Sequence, residues 1–83
     1  MTDQDLLDDF TRILRELLGD DDIVLAMDTR RSDVAGWDSF MYVNFIVAVE
    51  LELGLKFRIA DVESFETVGD IVANARSLLG ASS

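Results

Sequence analysis

The chain has 83 residues, enough for one small domain built around a single core. Its 17 acidic residues against 7 basic ones give a net charge of −10, which repels the phosphates that nucleic-acid and anionic-lipid binding depend on. Histidine and cysteine are both absent, which removes the commonest general base, the thiolate nucleophile, the redox pair and the best zinc ligands together.

The 49% apolar content separates the chain from disordered sequences, so a folded domain is expected. No disulfide or cysteine-based zinc site is available to staple it, so stability must come from well-packed helices, a partner or an attached group. The acidic start Met1-Thr2-Asp3-Gln4-Asp5 is unlike a basic signal-peptide start, and a cytoplasmic location is expected. No unbroken apolar run is longer than Phe45 to Val49, well short of the roughly 20 residues a membrane span needs, so no membrane insertion is expected.

Apolar residues at Leu6, Leu7, Phe10, Ile13, Leu14, Leu17 and Leu18 follow the spacing of an amphipathic helix. Thr2 serves as its N-cap, acidic residues crowd its first turn, Arg12 and Arg15 lie toward its end, and Gly19 is a stop. The first helix is therefore expected over residues 3–18. From Gly19 to Trp37 no period survives, and a long structured loop is the simplest reading, with Ile23, Val24 and Leu25 anchoring it on the core. The triplet Asp20-Asp21-Asp22 lacks the central glycine and distal glutamate of a calcium loop in register, and reads as a solvated acidic turn with no metal role.

A second helix is expected over residues 39–53, which contain neither glycine nor proline. At 100° per residue, Phe40, Val43, Val47 and Leu51 form one stripe, and Tyr42, Phe45, Ile46, Val49 and Leu53 form a nearly opposite one. Both faces are apolar. Either the helix is buried on two sides, or one stripe faces the core while the other stays partly exposed as a docking surface; an 83-residue bundle rarely encloses a helix fully, which favours the second. Gly54 ends this helix, and Leu55-Lys56-Phe57-Arg58-Ile59 alternates like a short extended connection. A single turn is expected over residues 61–65. Thr67 then opens a capping box with Asp70, and Val68, Ile71, Val72, Ala75, Leu78 and Leu79 carry a last helix over residues 68–79 to a stop at Gly80, with a flexible tail after it.

The informative stretch is Gly36-Trp37-Asp38-Ser39-Phe40, where a serine meets the first turn of the second helix after a long loop. A helix N-terminus has unpaired N–H groups and about half a positive charge, so a phosphodiester on Ser39 is favourable even on an acidic protein. Asp38 is the natural N-cap beside it. On these residues alone, the favoured reading is that Asp38 and Ser39 are capping residues with no further task.

Asp38-Ser39-Phe40, preceded by Gly36, resembles the Asp-Ser-Leu motif of the acyl carrier protein family and the related peptidyl carrier domains. The resemblance covers nearly the whole chain. It includes the apolar first helix, the long first loop, the helix end Glu50-Leu51-Glu52-Leu53-Gly54, and the Phe65-Glu66-Thr67-Val68 run into the last helix. It implies an all-α four-helix bundle with a long first loop and a short third helix, residues 1–83 forming one carrier domain.

By the same resemblance, Ser39 would accept 4′-phosphopantetheine from coenzyme A through a phosphopantetheinyl transferase that uses magnesium. Acyl or aminoacyl groups would ride on the arm as thioesters, so the protein would be a carrier serving other enzymes and not itself a catalyst. Phe40, Met41, Val43, Asn44 and Val47 would face partner enzymes, and Tyr42, Phe45, Ile46, Val49 and Leu53 would line the core and any acyl chain. Acyl-transferring or condensing enzymes with basic docking surfaces are the implied partners, and a monomer is expected.

Two departures stand out. Carriers of general fatty-acid synthesis usually have acids two and five positions after the serine, where this chain has Met41 and Asn44, and the family's common proline after the second helix is replaced by Phe57-Arg58-Ile59. A specialised lipid or secondary-metabolite pathway is the resulting expectation. Its rivals are a small helical adaptor that docks through the second helix with Ser39 only a helix-start residue, an acidic decoy for a basic surface, and, most distant, an enzyme working through carboxylates, for which no pair is placed by spacing into a pocket.

Overall fold

Thr2 Oγ1 accepts a hydrogen bond from the Asp5 N–H at 3.1 Å while the Asp5 carboxylate accepts the Thr2 N–H at 3.0 Å, closing a capping box at the start of α1 (Asp3–Leu18). The computed structural model describes residues 2–81, with α2 (Ser39–Leu53), α3 (Ile59–Ser64) and α4 (Val68–Ala81) following in order. A short 3-10 turn, Arg31–Asp33, interrupts the long loop between α1 and α2. Gly19 and Gly54 close α1 and α2 in the left-handed conformation, each donating its N–H to a carbonyl four residues back.

One side of α1 supplies Leu6, Phe10 and Leu14 to the core, α2 supplies Phe45, Ile46 and Val49, and α4 supplies Val68, Ile71, Val72 and Ala75. Phe10 and Phe45 meet edge to face with centroids 5.6 Å apart. The two stripes of α2 separate cleanly. Phe45, Ile46 and Val49 are buried and Tyr42 and Leu53 pack against the core, whereas Phe40, Val43, Val47 and Leu51 lie open to solvent. At the surface Arg12 of α1 pairs with Glu52 of α2, and Arg76 of α4 pairs with Asp3 of α1 at 3.0 Å.

The long loop is held at both ends of its course. Ile23 and Leu25 are buried and the Arg15 Nε donates to the Ile23 carbonyl at 2.6 Å, but Val24 between them is 74% exposed, because an extended segment turns alternate residues outward. Farther on, the loop passes the start of α4, whose first N–H groups have no partner within their own helix. Val68 N–H donates to the Thr29 carbonyl and Gly69 N–H to the Met27 carbonyl, both at 2.8 Å. A side chain at position 69 would place its Cβ 2.7 Å from the Met27 carbonyl oxygen. Gly69→Ala is therefore expected to push the loop off α4 and to cost about 1–3 kcal/mol, read from urea unfolding; an unchanged midpoint would show that this contact yields freely.

Three further expectations need correction. The third helix begins at Ile59 and ends at Ser64, so it is not the 61–65 turn. The alternation of residues 55–59 stops at Arg58: Phe57 is buried, its N–H held by the Glu50 carboxylate at 2.9 Å, but Ile59 already belongs to α3 and faces solvent. Phe65 sits after the helix, extended, with its ring 5.7 Å from that of Phe57. The last helix passes through Gly80 to Ala81 instead of stopping there, because Gly80 does not take the positive φ that turns the chain away at Gly19 and Gly54. Met1 and the tail residues Ser82 and Ser83 lie outside the described residues.

The capping box expected at Thr67 is formed: Asp70 N–H donates to Thr67 Oγ1 at 3.2 Å, and the Asp70 carboxylate accepts the N–H groups of Glu66 and Thr67. Those backbone donors hold the Asp70 carboxyl below its ordinary value. No helix among the described residues is long and apolar enough to cross a membrane.

Candidate functional site

The chain enters α2 from the inside of the protein. Gly36 takes a φ of 85°, and Trp37 after it is driven into the core, its ring 5.1 Å from that of Phe45 and steeply inclined to it. The next residue turns outward. Asp38 has an extended backbone, and its Oδ1 accepts the Met41 N–H at 2.9 Å while its carbonyl accepts the Tyr42 N–H at 2.8 Å. Ser39 is then the first residue of α2, exposed beside a buried anchor.

Its hydroxyl makes no hydrogen bond within the described residues, and the amides of Ser39 and Phe40 on the same corner are likewise unpaired. A free hydroxyl beside open helix amides is a fitting place for a covalently attached phosphate, since the amides and the helix dipole offset its charge. The acidic Asp38 does not oppose this strongly, because its carboxylate is turned to the helix as a cap.

Next to Ser39 is an open cleft of about 510 Å³ between the loop, the start of α2 and the corner after α3. Arg30, Arg31, Trp37, Tyr42, Val62 and Glu63 are among its walls. Tyr42 bridges it: the phenol O–H donates to the Val62 carbonyl at 2.7 Å, and the Arg31 guanidinium lies over the ring at 5.1 Å. Burial pushes the Tyr42 phenol above its ordinary value, and Arg31 acts against that rise.

The other residues singled out in the sequence divide by face. Phe40 is 74% exposed and leads a line through Val43 and Val47 to Leu51, an apolar band running down α2 from Ser39. Met41 and Asn44 are half-buried flanks of that band, the Asn44 amide resting 3.8 Å from the Met41 Sδ. Tyr42, Phe45, Ile46, Val49 and Leu53 point the other way, into or along the core. Sequence reasoning missed Trp37 as the anchor of the site, although a large aromatic two residues before an exposed serine was a usable signal. It also missed Arg30, Arg31 and Glu63, whose approach to Ser39 depends on the return of the loop and of α3.

Residues 8–74 match the family described as a phosphopantetheine attachment site. Over 68 residues the chain is 37% identical to the acyl carrier protein of Thermotoga maritima, a match covering 82% of this chain and 84% of that one. The fold is similar to the solution structure of the holo acyl carrier protein from Geobacter metallireducens, with a TM-score of 0.84 and 33% identity over 92% of this chain and 87% of that one.

Proposed function

Since the chain belongs to the acyl carrier protein family, whose domain bears a phosphopantetheine attachment site and is not a catalyst, we propose that Ser39 is the attachment residue and residues 1–83 are one carrier domain. The observation that carries this reading is the unbonded, exposed Ser39 hydroxyl at the first position of α2, fixed there by the Asp38 cap and the buried Trp37. A phosphopantetheinyl transferase acts on this hydroxyl: a bond forms between Ser39 Oγ and phosphorus, the pyrophosphate bond of coenzyme A breaks, and adenosine bisphosphate leaves. The Ser39 proton passes to the transferase or to solvent. When bound, the group supplies a terminal thiol on which acyl or aminoacyl cargo is held as a thioester.

Partner enzymes dock on the apolar band Phe40, Val43 and Val47 with Met41 and Asn44 at its edges. The net charge of −10 favours partners with basic surfaces, but the band itself is nearly uncharged. This supports a dedicated lipid or secondary-metabolite pathway, because partners that search for acids at the start of α2 meet Met41 and Asn44. General fatty-acid synthase enzymes that elongated chains on this carrier as fast as on a housekeeping carrier would overturn that assignment.

Incubating the protein with coenzyme A, magnesium and a broad-specificity transferase is expected to add one phosphopantetheine by intact mass. No addition on folded protein across several transferases would favour the adaptor reading. Phe40→Glu is expected to keep the helical spectrum and melting of the parent, since the side chain is solvent-facing, yet to lower kcat/KM for loading by about tenfold or more, as loss of a central apolar contact does.

A further inference from the structure

Two hydrogen-bond donors beside Ser39 are uncommitted. Trp37 is only 4% exposed, and its indole N–H has no partner, which is unusual for a buried donor. The Arg31 guanidinium rests on the Tyr42 ring and forms no ion pair among the described residues, whereas its neighbour Arg30 pairs with Glu66 at 3.9 Å. Both Trp37 and Arg31 line the cleft that opens at Ser39. A further donor there, the Tyr42 hydroxyl, is already spent on the Val62 carbonyl.

Behind these residues the protein is closed. The adjoining void bordered by Arg31, Trp37, Tyr42, Phe65, Val68 and Ile71 holds about 20 Å³, room for a single water. Beyond it the rings of Trp37, Phe45 and Phe10 stack edge against face at 5.1 and 5.6 Å and fill the way into the bundle. A long alkyl chain entering from the cleft would have to displace Trp37 from a close-packed core. A compact group with an oxygen acceptor would instead meet the Arg31 guanidinium at the cleft wall and reach the buried indole N–H through one water, for which the void has room, with the ring left in place.

From this geometry we infer that the cleft selects the carried group: it takes a compact acyl group bearing a hydroxyl, keto or carboxylate oxygen, and Trp37 bars a long alkyl chain. The inference rests on Ser39 being the attachment residue, from which the arm is long enough to fold its cargo back onto the cleft. Glu63 also lines the cleft and its carboxylate repels an oxygen acceptor, so the oxygen sits at Arg31. Arg31 and Trp37 act by positioning the cargo and take no part in its chemistry.

The chain has one tryptophan, so its indole N–H gives a single NMR signal that reports on the cleft directly. The test has two arms: free hydroxybutyryl-pantetheine and octanoyl-pantetheine amides titrated against the unloaded protein, and the same groups loaded on Ser39. Hydroxybutyryl is expected to move the indole signal in both arms, and Arg31→Gln, a change at an exposed residue, to weaken the free ligand by about tenfold, as loss of a charge-assisted hydrogen bond does. Octanoyl is expected to leave the methyl signals of Val49 and Val72 in place. The inference is overturned by an unmoved indole signal with hydroxybutyryl, by octanoyl shifting those buried methyls, or by bare pantetheine producing the same indole shift. Failure of loading alone would strike the Ser39 assignment, while the free-ligand arm would still decide the cleft.

Discussion

Ser39→Ala is expected to show no added phosphopantetheine under conditions that convert the parent completely, and to melt within about 0.5 kcal/mol of it. The two halves of this expectation come from different physics. The reaction needs an oxygen nucleophile at one place, and alanine removes it outright. Stability needs little from this side chain, because the hydroxyl is exposed and makes no hydrogen bond, and alanine is the better helix former by a few tenths of a kcal/mol. The variant thus isolates chemistry from folding. Ser32 is the informative control, since it borders the same cleft; Ser64 is tied to the Asp61 carbonyl at 2.8 Å and lies after the site. Ser32→Ala should load like the parent. Addition that persists in Ser39→Ala and disappears in Ser32→Ala would move the attachment point to the loop and remove the role given to the α2 terminus.

The site was legible where it depends on local sequence. A serine after an aspartate at the beginning of an apolar helix states its own geometry, because capping is decided within four residues, and the Asp38 bond to the Met41 N–H follows that rule. The Thr2 and Thr67 boxes were legible for the same reason. α2 was only half legible. Its period separates two stripes but both are apolar, so hydropathy alone does not say which is buried. The choice is made by shape: Phe45 lies opposite Phe10 and beside Trp37, while no element among the described residues covers Phe40 or Leu51, and neither arrangement is encoded inside α2.

What stayed hidden is everything that depends on distant segments meeting. The loop course is set by Met27 and Thr29 carbonyls accepting from Gly69 and Val68, about forty residues away, and no periodicity marks such a pairing. Trp37 was overlooked for a related reason: at the end of an aperiodic loop its burial follows only from where that loop is pinned. The same pinning brings Arg31 over Tyr42 and makes the cleft, so the feature with most to say about cargo was the one that local reasoning could not assemble. The errors at Ile59 and Gly80 are smaller and also contextual, since glycine stops a helix only where the chain turns with positive φ.

Phe45→Ala is expected to remove most of the stability of the fold. The ring is fully buried, with Phe10 on one side and Trp37 on another, and truncating such a phenylalanine costs about 3–5 kcal/mol through lost transfer energy and the cavity left behind. At roughly 0.05–0.15 kcal/mol per residue, a domain of 83 residues has about 4–12 kcal/mol in total. The variant should therefore melt more than about 12 °C below the parent, or be partly unfolded at room temperature, as followed by helical circular dichroism. The matched control lies in the same helix: Phe40→Ala removes an equal ring from the exposed stripe and should change stability by less than about 0.5 kcal/mol. The contrast tests the division of α2 into a core face and a docking face, because both substitutions remove the same atoms and alter the same helix propensity. Equal losses at the two positions would mean that a partner or a second copy covers Phe40 in solution. A larger loss at Phe40 than at Phe45 would mean that the stripes are assigned the wrong way round, and with them the surface from which Ser39 meets its enzymes.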